Sequence, residues 1–154
     1  MNAAATSFPL QTEHDTCRLA ERFAKSLEPG DVLLLSGPIG AGKSHFARCL
    51  IRSRLGQEID VPSPTFTLVQ TYDDPEFEIW HCDLYRLSHP DEVLELGLQE
   101  AFETGVVLVE WPDRLGDAVP ANAINLMFEA GEVEHRVTIS ASRRWLALRG
   151  IVDA

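Results

Sequence analysis

The segment Gly37–Ser44, with the sequence GPIGAGKS, constrains the fold of this chain more than any other feature. It matches G-x-x-x-x-G-K-[ST] at every fixed position, which is the pattern of a phosphate-binding P-loop. The apolar run Val32–Leu35 precedes it, and a helical pattern over Lys43–Leu55 follows it. A buried parallel strand, a glycine-rich loop and a helix in this order predict an α/β, P-loop NTPase-like fold.

The residue types in this segment suit the binding of a polyphosphate. Glycines let backbone N–H groups turn toward phosphate oxygens, and the N-terminus of the following helix presents further N–H groups to the same anion. Lys43 supplies a positive charge for the β- and γ-phosphates, and the Ser44 hydroxyl suits Mg²⁺. We therefore predict ATP and Mg²⁺ as cofactors, held by Gly37, Pro38, Ile39, Gly40, Ala41, Gly42, Lys43 and Ser44.

The rest of the chain alternates between helical and strand patterns and contains no internal repeat. Helices are predicted over Asp15–Leu27 and from Ser88 onward, the second with a break at Gly97, and another buried strand over Val106–Val109. Two antiparallel hairpins are predicted, Phe66–Tyr72 with Phe77–Asp83 and Ile124–Glu129 with Val133–Ser140. We expect residues 1–154 to form a single domain with a mostly parallel central sheet, antiparallel additions and flanking helices.

Two acidic residues stand at the ends of predicted strands. Glu110 follows Val106–Val109, and Asp83 closes the preceding strand. Because ligands of open α/β sheets bind at the carboxyl ends of the strands, either acid is a candidate to ligate Mg²⁺ or to polarise the attacking water. Trp111, next to Glu110, is by its residue type more typical of core packing than of a nucleotide contact.

The threonines of the segment SPTFT, Thr65 and Thr67, lie between the P-loop helix and Asp83. Switch segments of P-loop hydrolases occupy this position and supply a hydroxyl to the γ-phosphate or the metal. Judged on the residues alone, ordinary strand-forming threonines are the slightly favoured interpretation.

The charge of the chain disfavours direct binding to nucleic acid. Lys and Arg total 13 against 24 Asp and Glu, so the net charge of −11 repels a phosphate backbone. No apolar run approaches the roughly 20 residues of a membrane span, and the N-terminus lacks the features of a secretory signal. These observations predict a cytoplasmic protein without membrane or DNA partners.

The three cysteines, Cys17, Cys49 and Cys82, are widely spaced and contain no C-x-x-C pair. We interpret them as small buried side chains in a reducing cytosol. His81 beside Cys82 gives only two ligands of one metal site, which disfavours zinc there.

Four segments together extend the pattern beyond a generic P-loop: GPIGAGKS, SPTFT, HCDLYR at His81–Arg86, and VEWP at Val109–Pro112. Their order and spacing resemble the TsaE (YjeE) family over about residues 8–140. The resemblance implies a bacterial ATPase required for threonylcarbamoyladenosine formation in tRNAs that read codons beginning with adenine. It also implies work with a TsaB–TsaD pair, in which TsaD holds the tRNA, and slow hydrolysis of ATP that resets this complex.

The resemblance assigns roles position by position. Lys43 and Ser44 match the nucleotide and magnesium residues, although the family commonly has Thr where Ser44 stands and an acid where Pro38 stands. On the same basis the catalytic residues are Asp83, Glu110, Thr65 and Thr67, the magnesium ligands are Ser44 and Glu110, and Trp111 is the aromatic residue beside the nucleotide.

Two other functions remain open on the sequence. A small-molecule P-loop kinase shares the phosphate-binding loop, but the later arginines do not form an obvious lid over a transferring phosphoryl group. A nucleotide-gated binding module without turnover is the second alternative. A GTPase is disfavoured because the guanine-reading N-K-x-D motif is absent from the chain.

Overall fold

The computed structural model describes residues 5–56, 59–62, 64, 68–87, 89 and 91–153. The predicted catalytic residues Thr65 and Thr67 lie outside this range. The strands are β1 (Thr6–Leu10), β2 (Val32–Ser36), β3 (Val69–Asp73), β4 (Glu78–Asp83), β5 (Val106–Glu110), β6 (Ile124–Ala130) and β7 (His135–Ile139). The helices are α1 (Glu13–Ser26), α2 (Lys43–Leu55), α3 (Glu92–Leu96), α4 (Leu98–Thr104) and α5 (Arg143–Leu148).

The seven strands belong to one mixed sheet, and the chain divides into two compact units. The first unit comprises Met1–Ser26, Ser36–Val61 and Ile124–Ala154, and the second comprises Leu27–Leu35 and Pro62–Ala123. Within the described part of the chain, no helix is long and apolar enough to cross a membrane.

The first unit contains an antiparallel ladder in the order β1, β7, β6. The β6–β7 hairpin agrees with the prediction, and the Gly131 N–H donates to the Glu134 carbonyl to close its turn. Leu126, Phe128, Val137 and Ile139 are fully buried, so one face of this ladder forms the core. Three aromatic rings connect α1 and α2 to this ladder: Phe23 of α1, Phe46 of α2 and Phe128 of β6. Their ring centroids are 5.7 Å apart for Phe23–Phe46 and 5.6 Å apart for Phe46–Phe128.

The second unit contains β2, up to Leu35, then β5 and β4 in parallel and β3 antiparallel at the end. The strands β2 and β5 are almost uniformly apolar and buried along both faces, as is typical of central parallel strands. The predicted break at Gly97 is confirmed, since this residue has φ +82° and separates α3 from α4. A parallel centre with antiparallel additions and flanking helices confirms the predicted α/β fold class.

The prediction of separate buried thiols is wrong for two of the three cysteines. Cys17 of α1 and Cys49 of α2 form a disulfide, with their Cα atoms 5.3 Å apart. The two helices pack side by side in the first unit, and a spacing of 32 residues along the chain gives no sign of this contact. Cys82 is a free, fully buried thiol, as expected, and burial raises its pKa above the usual range.

Candidate functional site

The P-loop of the first unit has a backbone that only glycine adopts easily. Gly37, Gly40 and Gly42 have φ values of +134°, +85° and +110°, in the region that an L side chain disfavours. A Cβ on Gly37 would overlap the backbone carbonyl of Phe128 in β6. The fixed glycines of the motif are therefore required by backbone conformation and, at Gly37, also by the neighbouring strand.

Lys43 closes back over this loop. Its side chain is buried, and its ammonium group donates a hydrogen bond to the carbonyl of Gly37. The first turn of α2 contains no acidic residue, and Gly42 at its N-cap provides no side chain to bind the N–H groups. A cation and a helix N-terminus of this kind attract an anion.

The remaining loop residues differ in what their side chains offer. Ile39 is 82% exposed, and Pro38 and Gly40 are also exposed. The Pro38 carbonyl accepts from the Ala41 N–H at 3.2 Å, which closes a turn within the loop. Ser44 is half-buried at the start of α2.

In the second unit, the two predicted acids end neighbouring strands. Asp83 and Glu110 are Cα partners in the parallel pairing of β4 with β5. Both are buried, at 7% and 2% exposure, although carboxylates are rarely buried without partners. The structure therefore brings these two catalytic candidates together, as the strand-end argument predicted.

His81 is the buried partner of Glu110. Its Nε2 lies 2.7 Å from the Glu110 Oε2 atom, and both side chains are almost completely buried. With the proton on Nε2, the imidazole donates to the carboxylate. Among the described residues, no hydrogen-bond partner is present for His81 Nδ1.

Sequence reasoning did not identify this pairing, although a signal for it exists. In β4 the side chains alternate, so Cys82 enters the apolar cluster with Val107 and Val109 while His81 and Asp83 point to the other face. The parallel register places His81 opposite Leu108, two residues before Glu110 on that same face. An H-x-D segment beside a strand that ends in Glu is the pattern that would have revealed it.

Trp111 follows Glu110 in the left-handed region, with φ +59°, and begins the helical turns over Pro112–Ala118. Its half-buried ring lies 5.0 Å from the exposed Tyr85 ring, measured between centroids. The Arg114 guanidinium lies 5.9 Å from the centre of the same Tyr85 ring. The Asp83 Oδ1 atom accepts from the Tyr85 N–H at 3.0 Å, so this aromatic group is joined directly to one of the acids.

The predicted site residues thus occupy two groups. Gly37–Ser44 form one continuous loop and helix start in the first unit, and Asp83, Glu110 and Trp111 lie together in the second. The family model for the threonylcarbamoyl adenosine biosynthesis protein TsaE matches residues 10–138 of the chain. The chain belongs to the TsaE family.

Curated TsaE proteins cover most of the chain. The tRNA threonylcarbamoyladenosine biosynthesis protein TsaE of Rickettsia bellii is 42% identical over 117 residues, which are 76% of this chain and 81% of that protein. The Bacillus subtilis protein of the same name is 37% identical over 129 residues, 82% of this chain and 80% of its own. These TsaE relatives confirm the resemblance inferred from the four sequence segments.

A solved structure agrees with this assignment to the TsaE family. The crystal structure of Bacillus subtilis YdiB aligns with a TM-score of 0.77 and 26% sequence identity, over 97% of this chain and 93% of that one. The crystal structure of YdiB therefore has the same α/β fold as this chain.

Proposed function

We propose that this TsaE family member binds ATP with Mg²⁺ and hydrolyses it, as a subunit of the machinery that forms threonylcarbamoyladenosine in tRNA. The observation that carries the proposal is the P-loop, in which three glycines with positive φ, a buried Lys43 and an uncapped helix N-terminus occur together. Each of these features favours a polyphosphate over a neutral ligand.

Lys43 has the central part in binding. Its ammonium group donates to the neutral carbonyl of Gly37, and a phosphate oxygen in the loop is a stronger acceptor than that carbonyl. The ammonium group and a phosphate oxygen also attract each other as opposite charges, an attraction that a neutral carbonyl does not supply. Lys43 is thus held beside the loop, and its interaction becomes more favourable when an anionic phosphate oxygen replaces the Gly37 carbonyl as the acceptor.

Ser44 and Glu110 are the proposed magnesium ligands, because a hydroxyl and a carboxylate are the oxygen donors that this ion prefers. Bound Mg²⁺ neutralises charge on the β- and γ-phosphates. Glu110 is the Cα partner of Leu35, and the chain enters the P-loop two residues after Leu35. Ligands of open α/β sheets bind at the carboxyl ends of the strands, and this position of Glu110 at the end of β5 supports it as the carboxylate ligand.

His81 and Asp83 complete the proposed chemistry. The His81 Nε2 atom lies 2.7 Å from one oxygen of Glu110, and this contact orients the carboxylate. Asp83 is the proposed acid that orients or polarises the attacking water, and its Oδ1 atom accepts from the Tyr85 N–H. Since Tyr85 is half-exposed and stacks near Trp111, this turn is the proposed point at which TsaB–TsaD sense the nucleotide state.

The test compares ATP binding and phosphate release for the wild type, Lys43→Ala and Glu110→Gln, with and without TsaB–TsaD. We expect Lys43→Ala to weaken ATP binding by about 10- to 100-fold, the loss of a hydrogen bond between charged groups. Glu110→Gln should bind ATP within a few-fold of the wild type and lose Mg²⁺-dependent phosphate release.

Matched controls are Lys25→Ala, which removes the only other lysine, and Glu100→Gln, which neutralises an exposed acid. Wild-type phosphate release by Lys43→Ala would overturn the proposal. ATP binding without phosphate release, even with TsaB–TsaD present, would instead indicate a nucleotide-gated module. Transfer of phosphate from radiolabelled ATP to a small molecule would indicate a kinase.

A further inference from the structure

A second group of potential ligands lies in the first unit and shares no residue with the proposed ATP site, although His45 directly follows Ser44. Cys17 comes from α1, and His45 and Cys49 come from α2. The spacing of four residues puts His45 and Cys49 on one face of α2, one turn apart. Their ligand atoms and the Cys17 sulfur all lie within 4.8 Å of one another.

The distances from the histidine ring fit a metal ion. His45 Nε2 lies 3.6 Å from Cys17 Sγ and 3.7 Å from Cys49 Sγ. In a tetrahedral zinc site, Zn–N and Zn–S bonds of roughly 2.0 and 2.3 Å place the nitrogen about 3.5 Å from each sulfur. One ring nitrogen therefore already lies at the required separation from each sulfur. The Glu13 carbonyl lies 3.2 Å from the same nitrogen, so a metal ion must replace the proton that this carbonyl accepts, with the ring proton moving to Nδ1.

The sulfurs must be thiolates before they can bind a metal. A dithiol reductant supplies two electrons and two protons to the Cys17–Cys49 disulfide, which becomes two thiols while the reductant becomes a disulfide. Metal binding then releases the thiol protons to solvent.

We propose that, once the disulfide is reduced, Cys17, His45 and Cys49 bind one Zn²⁺ ion, with water in the fourth position. Thiolate and imidazole ligands in tetrahedral arrangement favour zinc over magnesium or calcium, which prefer oxygen. Cys17 and His45 are half-buried and Cys49 is 9% exposed, so an ion reaches the site from solvent. The ion would join α1 to α2 in place of the disulfide.

This zinc site does not depend on the proposed ATPase activity. None of its three ligands belongs to the P-loop or to the acidic group at the ends of β4 and β5. Its tests therefore use nucleotide-free protein, and failure of either proposal leaves the other standing.

The first test measures metal binding by untagged protein that has been reduced with a dithiol and moved into anaerobic, reductant-free buffer containing excess Mg²⁺. Addition of Co²⁺ should produce thiolate-to-cobalt charge-transfer absorption with one ion per chain, and Zn²⁺ should abolish it. Cys17→Ser, Cys49→Ser and His45→Ala should each weaken Zn²⁺ binding by more than about 100-fold, beyond the 10- to 100-fold typical of an outer-shell partner. The matched control Cys82→Ala, which removes the third cysteine, should keep wild-type affinity and spectrum.

The second test uses the wild-type chain, so it does not depend on whether a variant folds. Zn²⁺ should slow alkylation of reduced Cys17 and Cys49 by iodoacetamide at least about tenfold, as mapped by peptide mass spectrometry, because bound thiolates are poor nucleophiles. Two results would overturn the proposal. One is full Zn²⁺ binding by a Cys17→Ser, Cys49→Ser double variant. The other is a reduced wild type that takes up no Zn²⁺, which would leave the pair as a disulfide only.

Discussion

Cys82 and its two neighbours show how single residues of β4 face different surroundings. Cys82 is fully buried in the apolar cluster that includes Val107 and Val109, whereas His81 and Asp83 lie on the opposite face. Alternation along one strand thus separates a chemically inert thiol from the ionisable groups of the candidate site. A change at Cys82 therefore acts through the core and not through contact with a ligand.

The buried thiol makes stability depend on pH. Burial raises the pKa of Cys82 in the folded chain, whereas an unfolded thiol titrates near about 8.5. Above that pH the unfolded chain loses a proton that the folded chain keeps, so the free energy of unfolding falls as pH rises. Between pH 7.5 and 9.5 this group alone should remove about 1.4 kcal/mol.

Urea unfolding of the wild type and Cys82→Ala at the two pH values measures this effect, with Cys17 and Cys49 kept in the same redox state in both. Loss of buried volume makes the variant less stable at pH 7.5, and its deficit should shrink by about 1.4 kcal/mol at pH 9.5. Parallel pH profiles would show that Cys82 is not shielded from solvent in the way the structure indicates.

Among the elements, the loop that joins β2 to α2 contains two glycines, Gly37 and Gly40, at which an added side chain would have different effects. At Gly40 it would meet only an unfavourable backbone conformation, whereas at Gly37 it would also overlap β6. Gly40 has φ +85° and open space within 4 Å of where a Cβ would stand, whereas Gly37 has φ +134° and the Phe128 carbonyl in the way. Gly40→Ala should cost about 1 kcal/mol of unfolding free energy for the left-handed conformation alone. Gly37→Ala should cost roughly 2 kcal/mol more, because β6 must move.

Chemical denaturation of the two variants beside the wild type checks this difference, with Gly40→Ala as the matched control for Gly37→Ala. Equal destabilisation by both would contradict the close approach of β6 to the loop. Far-UV circular dichroism before denaturation shows whether each variant starts from the same folded state.

Local patterns predicted the elements around the P-loop, and the elements that depend on distant partners were missed. β2, α2 and β5 were predicted because an apolar run, a glycine loop or a helical period marks each of them within a few residues. β1 contains Pro9 and pairs with β7, with Phe8 opposite Val137. A proline is tolerated at the edge of a sheet, but a partner so far along the chain leaves no local sign. The short helix α5 was also not predicted.

The same distinction applies to the candidate site. Lys43, Ser44, Asp83 and Glu110 were predicted because each belongs to a motif or ends an apolar strand. The pairing of His81 with Glu110 depends on the register between two parallel strands, and the Cys17–Cys49 contact depends on how α1 packs on α2. The packing of α1 on α2 is a property of the folded chain and left no sign in the sequence, whereas the H-x-D segment beside a strand that ends in Glu was an available sign of the His81–Glu110 pairing.

For the molecule as a whole, acidic residues outnumber basic ones, and five of the eleven arginines donate to backbone carbonyls within the first unit. In α2, Arg48, Arg52 and Arg54 donate to the backbone carbonyls of Val61, Ile59 and Ala24. In the same unit, Arg22 and Arg149 donate to the carbonyls of Ile151 and Ser26. Even with all five histidines protonated, the net charge of the chain stays negative.

This charge distribution predicts that the chain does not bind tRNA by itself. Non-specific binding arises from cations that release counterions from phosphates, and its typical dissociation constants lie at roughly 10⁻⁴ to 10⁻⁶ M. With a net charge of −11, the affinity of this chain should be weaker than that range. A gel-shift assay at low salt with about 10 µM protein should show no complex between this chain and tRNA alone. The chain should be retained with tRNA only when TsaB–TsaD are present.

TsaB–TsaD with tRNA serves as the positive control. Micromolar binding by the chain alone, falling steeply as salt is added, would mean that a local basic surface outweighs the overall charge, and that tRNA contacts this protein directly.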